Sequence, residues 1–482
     1  LRHNLKNKKT KDLQLTKQFR TVSQNQSPNI RRYFERLITF INPIKINSFN
    51  TIFSSNISNK LNFMALISDL LKKYHFTSTE RFLRYVQIDT QSDPRSLLSP
   101  STEKQKNLGK VLVDELHELG LTNAELDQYG YVYTFLPGNV AHETPTICFC
   151  AHMDTSPDCS GADVKPIVHE NYQGQDLVLP DDPSVIIRAA EHPDLLEQYG
   201  NDIITASGKT LLGADNKAGV AEIMDALAFW VAHPEVPHGP ISIVFTPDEE
   251  VGRGTDHIDL SKINATYGYT LDGEKRGHLE NETFSADGFT VYIQGISQHP
   301  GFAKGRMESA LKIAAEIIAA LPKGALSPET TEGKQGFIHP TDIQGSVEEA
   351  RIDFILRDFD TAKLAEYGEL IQSISQKVLA NYPNASATFE QNEQYRNMYE
   401  ILKDHPQCMD YAMEAMKLAG LKPETCSIRG GTDGSRLTFM GLPCPNIFAG
   451  EHAFHSKQEW VSVQDMQKAT ETIIHLSSIF AR

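Results

Sequence analysis

Five residues of metal-ligating type stand apart in the chain: His152 in HMDTSPD, Asp215 in GADNKAG, Glu250 in TPDEEVG, Asp272 in LDG and His455 in FHSKQEW. Each follows an apolar stretch, so the set reads as strand ends converging on one site. Two imidazoles and three carboxylates form a nitrogen and oxygen donor set that suits zinc or a similar divalent ion. That count is enough for two ions sharing a bridging carboxylate, and the chemistry such a pair supports is metal-assisted hydrolysis.

The elements that must position these residues are legible around them. PTICFCA before His152 is an apolar strand with too little polarity for a solvated face. Two residues beyond the histidine, Asp154 is placed to accept a proton from the ring nitrogen not bound to metal, which would fix the tautomer. Asp215 ends the turn LLGADNKAG, whose glycines permit a tight backbone, and AGVAEIMDALAFWVA then reads as a helix. ISIVFTPDEE is a buried-type strand delivering two adjacent glutamates. Neighbouring side chains diverge there, so Glu250 can bind metal while Glu249 faces the water to be activated.

Composition fits a soluble globular enzyme: 482 residues, 40% hydrophobic, 22% charged, formal charge −16. A chain of this length splits into two or more domains. The acidic balance, with no basic stripe, argues against nucleic acid or an anionic membrane as partner. No apolar run approaches the roughly 18 residues a transmembrane helix needs. The six cysteines, at 148, 150, 159, 408, 426 and 444, form no CxxC pair. Cys148 and Cys150 read as small buried hydrophobes in a reducing compartment, and a cytoplasmic location is expected. GRGT after Glu250 lacks the Lys-Ser/Thr ending of a phosphate loop, and no GxSxG suggests a serine hydrolase.

Residues 1–63 contrast with the rest, with twelve Lys or Arg against Asp12 and Glu35, about +10, leaving about −26 beyond. This basic leader is expected to be disordered or foreign to the native chain; a start assigned upstream of Met64 is the preferred explanation, an organelle transit peptide the other. From Met64, ALISDLLKKYHFTSTERFLRYVQI reads as one or two amphipathic helices opening a catalytic domain, 64–281, that resumes at 396–482. Between lies FSADGFTVYIQG, the helical ESALKIAAEIIAALP, two strands around FIHPTDIQGSVEEARIDFILR, the helical AKLAEYGELIQSISQKVLANYP and the strand-like SATFEQNEQ. This β-α-β-β-α-β order is ferredoxin-like. It separates two halves of the ligand set, so 282–395 is an inserted domain, and the core around it should be a mixed α/β sheet with helices on both faces.

HMDTSPD, LLGADNKAG, TPDEEVGRGT, HPGFAKG, ILRDFD and RGGTDGSRLTFMGLPCPN follow one another from about Met64 to the C-terminus. In this order and spacing they resemble the peptidase T family, tripeptide aminopeptidases among the co-catalytic di-zinc metallopeptidases that also include carboxypeptidase G and aminoacylase. The resemblance implies a mixed-sheet catalytic domain, an inserted lid and dimerisation domain, two zinc ions per subunit, a homodimer, and small peptides, chiefly tripeptides, as substrates. It implies that His152, Asp215 and Asp272 hold one ion and Asp215, Glu250 and His455 the other, with Asp154 orienting His152 and Glu249 as general base. The chemistry agrees, since a carboxylate has the two oxygens a bridge needs and bound zinc can bring its water to a pKa of roughly 7.

By the same resemblance His299 in QHPGFAKG would help polarise the scissile carbonyl, and Arg357 in ILRDFD would contact the substrate's C-terminal carboxylate, a pairing arginine makes bidentately. Arg429 in RGGTDGS is a competing anion anchor. One departure stands out: where the family pattern reads GGxNxHG, this chain reads GEHAFHS, with Glu451, Ala453 and Ser456. Two other readings share the fold. One is a related di-zinc carboxypeptidase or N-acyl amino acid deacylase; the other is an inactive binding or scaffold protein, disfavoured because every ligand plus Asp154 and Glu249 is present.

Overall fold

The computed structural model describes residues 65–482; the expectations for the basic leader lie outside them. An eight-stranded mixed sheet forms the centre. From edge to edge its strands are Glu125–Leu126, Val132–Leu136, Ile241–Thr246, Ile147–His152, Tyr267–Gly273, Asn446–Phe448, His278–Thr283 and Glu424–Ile428. The central four run parallel, Ile147–His152 pairing with both Ile241–Thr246 and Tyr267–Gly273, and Asn446–Phe448 with the latter.

Two-sided burial explains the uniformly apolar strands. Ile147, Phe149 and Ala151 point into a core shared with the helix Ala214–Ala232, while Cys148 and Cys150 point the other way, toward Ile263, Leu437 and Cys444. Parallel strands covered on both faces lose the alternation of a half-solvated sheet. Helices Ser78–Tyr85, Ala214–Ala232, Pro406–Leu418 and Val463–Phe480 form one layer; the short Leu260–Ile263 and Asp433–Phe439 lie on the other face. Ala214–Ala232 is apolar nearly all round because it is buried nearly all round. It packs so closely on the sheet that a Cβ at Gly219 would lie 2.0 Å from the Leu271 carbonyl oxygen.

A second four-stranded sheet joins Glu451–His452, Trp460–Ser462, Ile203–Thr205 and Ile167–His169. The third is the inserted one: Phe337–Gly345, Glu349–Asp358, Ser285–Gln294 and Ser386–Tyr395, all antiparallel, backed by Ala310–Ala319 and Ala362–Leu379. This is a ferredoxin-like arrangement. Its strands alternate as a one-sided sheet must: Ala350, Ile352, Phe354 and Leu356 face the helices while the residues between them are less buried.

Candidate metal centre and its cavity

The parallel strands deliver their chemistry at one edge. His152 closes its strand opposite Thr246, Glu249 and Glu250 follow that neighbour in a short turn, and Asp272 stands two residues beyond the Cys150–Thr270 pair. The carboxyl ends of parallel strands are where such crevices form. Asp215 and His455 correct the strand-end expectation. Asp215, with a non-helical φ of −78° and ψ of 103°, lies in a kink at the start of Ala214–Ala232, and His455 lies in a loop past Glu451–His452 with a left-handed φ of 60°. The Asp215 turn is held by the buried Glu459 carboxylate, which accepts from the N–H groups of Leu212, Gly213 and Asp215 at 2.7, 2.8 and 3.0 Å.

Asp215 presents one oxygen to each imidazole. Its Oδ1 lies 2.8 Å from His152 Nε2, and its Oδ2 lies 3.2 Å from His455 Nε2. Each imidazole meets a second carboxylate on its own side: His152 Nε2 is 3.3 Å from Asp272 Oδ1, and His455 Nε2 is 2.8 Å from Glu250 Oε2. His152 Nδ1–H donates to the Asp154 carbonyl oxygen at 3.1 Å, with the Asp154 carboxylate at 3.4 Å. Orientation of the ring therefore comes chiefly from the Asp154 main chain, where the sequence reading expected its carboxylate. That carboxylate accepts from the N–H groups of Glu249 (3.0 Å) and Glu250 (3.2 Å), tying the histidine to the turn that carries both glutamates.

The protons in this cluster are strongly shifted. Burial would lower His152, but Asp272, Asp154 and Asp215 outweigh it and raise the imidazole well above its ordinary range. His455 is likewise pushed up to about 11, burial being overcome by Asp215 and Glu250. Burial would raise Asp215, yet the two histidines hold it below the usual carboxylate range. Glu249 is raised well above that range by burial, and Glu250 is pushed up to about 8 by burial and then by Asp215.

The residues fit divalent cations. Ligand atoms of His152, Asp215 and Glu250 lie within 4.8 Å of one another, as do those of Asp215, Asp272 and Glu451. Glu250 Oε1 is buried with no hydrogen-bond partner among the described residues, an arrangement costly for a carboxylate without a cation. The first set combines imidazole and carboxylate, which suits zinc, and the second is all carboxylate, with the His152 imidazole 3.3 Å from Asp272 Oδ1.

The centre opens into a cavity of about 940 Å³ lined by Asp215, Glu249, Glu250, Asp272 and His455 and, from the inserted unit, by Phe337, Ile355, Arg357 and Tyr395. Arg357 lies over the Tyr395 ring at 5.4 Å and spends Nη1 on the Leu356 and Asp287 carbonyls. Arg429 also lines the cavity, but its guanidinium donates to the carbonyls of Thr331, Gly333 and Gln335 and lies over Phe284 and Phe337. It clamps the 331–335 loop, so few donors remain for an anion. His299 does not line the cavity; it is exposed, beside Phe302, with Nδ1 accepting from the Gly301 N–H.

Several site residues escaped the sequence reading. Asp433, buried and pushed up to about 7 by that burial, accepts from Thr246 Oγ1 at 2.6 Å. Asn446 bridges the buried Glu280 and the Asp272 N–H. Asp433 and Glu459 sit inside quoted motifs, RGGTDGS and KQEW, but as polar residues in loops they resemble surface. Glu451 showed only as a departure from the family pattern.

The model of peptidase family M20/M25/M40 matches residues 211–478. A Geobacillus sp. (strain WCH70) protein named Peptidase T is 45% identical over 401 residues, covering 83% of this chain and 98% of its own. A Caldanaerobacter subterraneus protein of the same name is 44% identical over 403 residues, covering 84% and 98%. Among solved structures, the aminopeptidase PepT of Bacillus cereus superposes with a TM-score of 0.64 at 22% identity, over 84% of this chain and 98% of that one. A tripeptidase of Staphylococcus aureus gives 0.65 at 21% identity, with the same coverage. Both share the fold.

Proposed function

The chain belongs to peptidase family M20/M25/M40, and we propose that it is a cytoplasmic aminopeptidase that releases the N-terminal residue of tripeptides. The observation that carries this reading is the two-sided Asp215, each oxygen facing one imidazole and each imidazole facing a further carboxylate. His152, Asp215 and Asp272 would hold one zinc ion, and Asp215, Glu250 and His455 a second. Such ions polarise a carbonyl and acidify water.

The chain's own groups do the rest. Glu249 lines the cavity beside this cluster, on a turn fixed by Asp154, and takes the proton from the attacking water and passes it to the leaving amine. Asp154 is a positioning residue, acting through the His152 ring and the Glu249 main chain. Arg357, on the facing inserted sheet, pairs with the peptide's terminal carboxylate. Three extended residues span roughly 10 Å, so a carboxylate anchor opposite the cleavage site selects by length. The inserted unit thus acts as the lid, and two chains would pair through it. His299 is given no role in the chemistry. The relatives named Peptidase T support the tripeptide preference.

The test is a substrate panel on zinc-loaded protein. A free tripeptide should be cleaved, its N-acetyl derivative resist cleavage, and its C-terminal amide be cleaved more slowly. Rapid hydrolysis of the acetylated peptide, or equal rates on acid and amide, would move the assignment to the deacylase or carboxypeptidase alternative.

A further inference from the structure

We propose that Glu451 is an additional metal ligand, supplying a carboxylate oxygen to the ion held by His152 and Asp272. The inference rests on the metal-dependent reading above and concerns a residue outside the five-ligand set.

The backbone delivers Glu451 to that side. Asn446–Phe448 runs parallel to Tyr267–Gly273, and Ala449 N–H donates to the Gly273 carbonyl at 2.7 Å, so the chain leaves the sheet alongside Asp272. Gly450, with φ of 78°, then turns it, and Glu451 is fixed by antiparallel pairing with Val461. The side chain is 2% exposed, and Oε2 has no hydrogen-bond partner among the described residues. Oxygens of Asp215, Asp272 and Glu451 lie within 4.8 Å of one another. Three carboxylates converging in a buried place repel one another unless a cation sits among them. A divalent ion is small enough to do so and needs the oxygens brought to it rather than a hydrogen-bond donor.

The consequence is asymmetry. Counting Glu451, the His152 side offers one imidazole and three carboxylates, whereas the His455 side offers one imidazole and two. Four protein donors tend to close a zinc coordination sphere, and three leave a position open. The richer oxygen set also moves the His152 side toward manganese, a harder ion than zinc. Where the family pattern has glycine, this chain carries the means to hold one of its ions more firmly than the other.

The experiment uses the full chain stripped of metal and titrated with Zn²⁺ and Mn²⁺ against a chromophoric chelator, for the parent, Glu451→Gln and Glu451→Gly. The parent should bind two ions in resolved steps. Glu451→Gln, with an unchanged metal-free melting temperature, should weaken the tighter step by about 10- to 100-fold, leave the other within about threefold, and reduce the Mn²⁺ to Zn²⁺ affinity ratio. Glu451→Gly should do the same, which covers the case of an amide that disturbs folding. Unchanged constants in both variants would overturn the inference even if KM for a free-amine peptide rose, since Glu451 would then contact substrate rather than metal. Two steps of equal affinity in the parent would also overturn it. A parent that binds fewer than two ions removes the two-ion reading itself, and that failure is visible without any variant.

Discussion

The central sheet and the inserted sheet solve opposite problems. Ile147–His152 and Ile241–Thr246 are buried along their whole length, so nothing chemical can be mounted on their faces; the reactive residues come where the strands stop. Glu349–Asp358 buries alternate residues only, so its other face is free to present Arg357 to the cavity. A rigid, dry sheet thus holds a cluster of like charges in place at its edge, while a half-solvated sheet offers a surface that can meet a substrate. The first arrangement tolerates no loss of a ligand; the second should tolerate change with graded effects.

The largest effect should come from Asp215→Ala, which removes the oxygens facing both histidines. Metal content should fall from two ions to one or none, and activity should drop by about 1,000-fold or more, a larger loss than that expected for Glu249→Gln. Retained activity in the variant, or in metal-free parent, would break the contrast at its root. Next, Glu249→Gln should keep metal content while lowering turnover about 100-fold, within the range for general acid–base catalysis. Turnover equal to the parent's would reassign the base.

On the inserted sheet, Arg357→Ala should raise KM for a tripeptide about tenfold with a smaller change in kcat, and flatten discrimination against the C-terminal amide. A loss confined to kcat would instead place Arg357 at the reacting bond. The smallest signal is a count of protons. In the metal-free protein His152 is raised and His455 is pushed up to about 11, so both are protonated at pH 7 and their contribution to stability is present below about 6.5. It fades as pH rises through the raised values. Metal requires both imidazoles neutral and Glu250, pushed up to about 8, ionised, so loading at pH 7 should release more than two protons and tighten as pH rises. Calorimetry in buffers of different ionisation enthalpy reads this directly, and zero release would mean the histidines are neutral before metal arrives.

Much of this was legible in the chain itself. Apolar runs before His152 and before Glu249 could only be buried strands, because ICFCA and ISIVF offer nothing to solvent. The ferredoxin-like order of the inserted unit followed from periodicity alone, since a period of two alternating with an amphipathic helical pattern depends on local neighbours. His152, Asp272, Glu249 and Glu250 were readable as candidates for the same reason, lying at or just past the end of a strand whose length is set locally, whereas His455 lies in a loop and stood out by its motif alone. What only the tertiary structure decided are relations between segments far apart in the chain. Glu459 holds a turn 244 residues earlier, Thr246 anchors Asp433 across 187 residues, and Asp154 joins His152 to a turn 95 residues on. Arg429 and Glu451 show why such relations are hidden. An arginine's letters do not say whether its donors face a substrate or three backbone carbonyls, and a glutamate in a loop reads as surface until the fold closes over it. Charge and hydrogen-bonding capacity are properties of the residue, but whether they are satisfied depends on what the folded chain brings within a few ångströms.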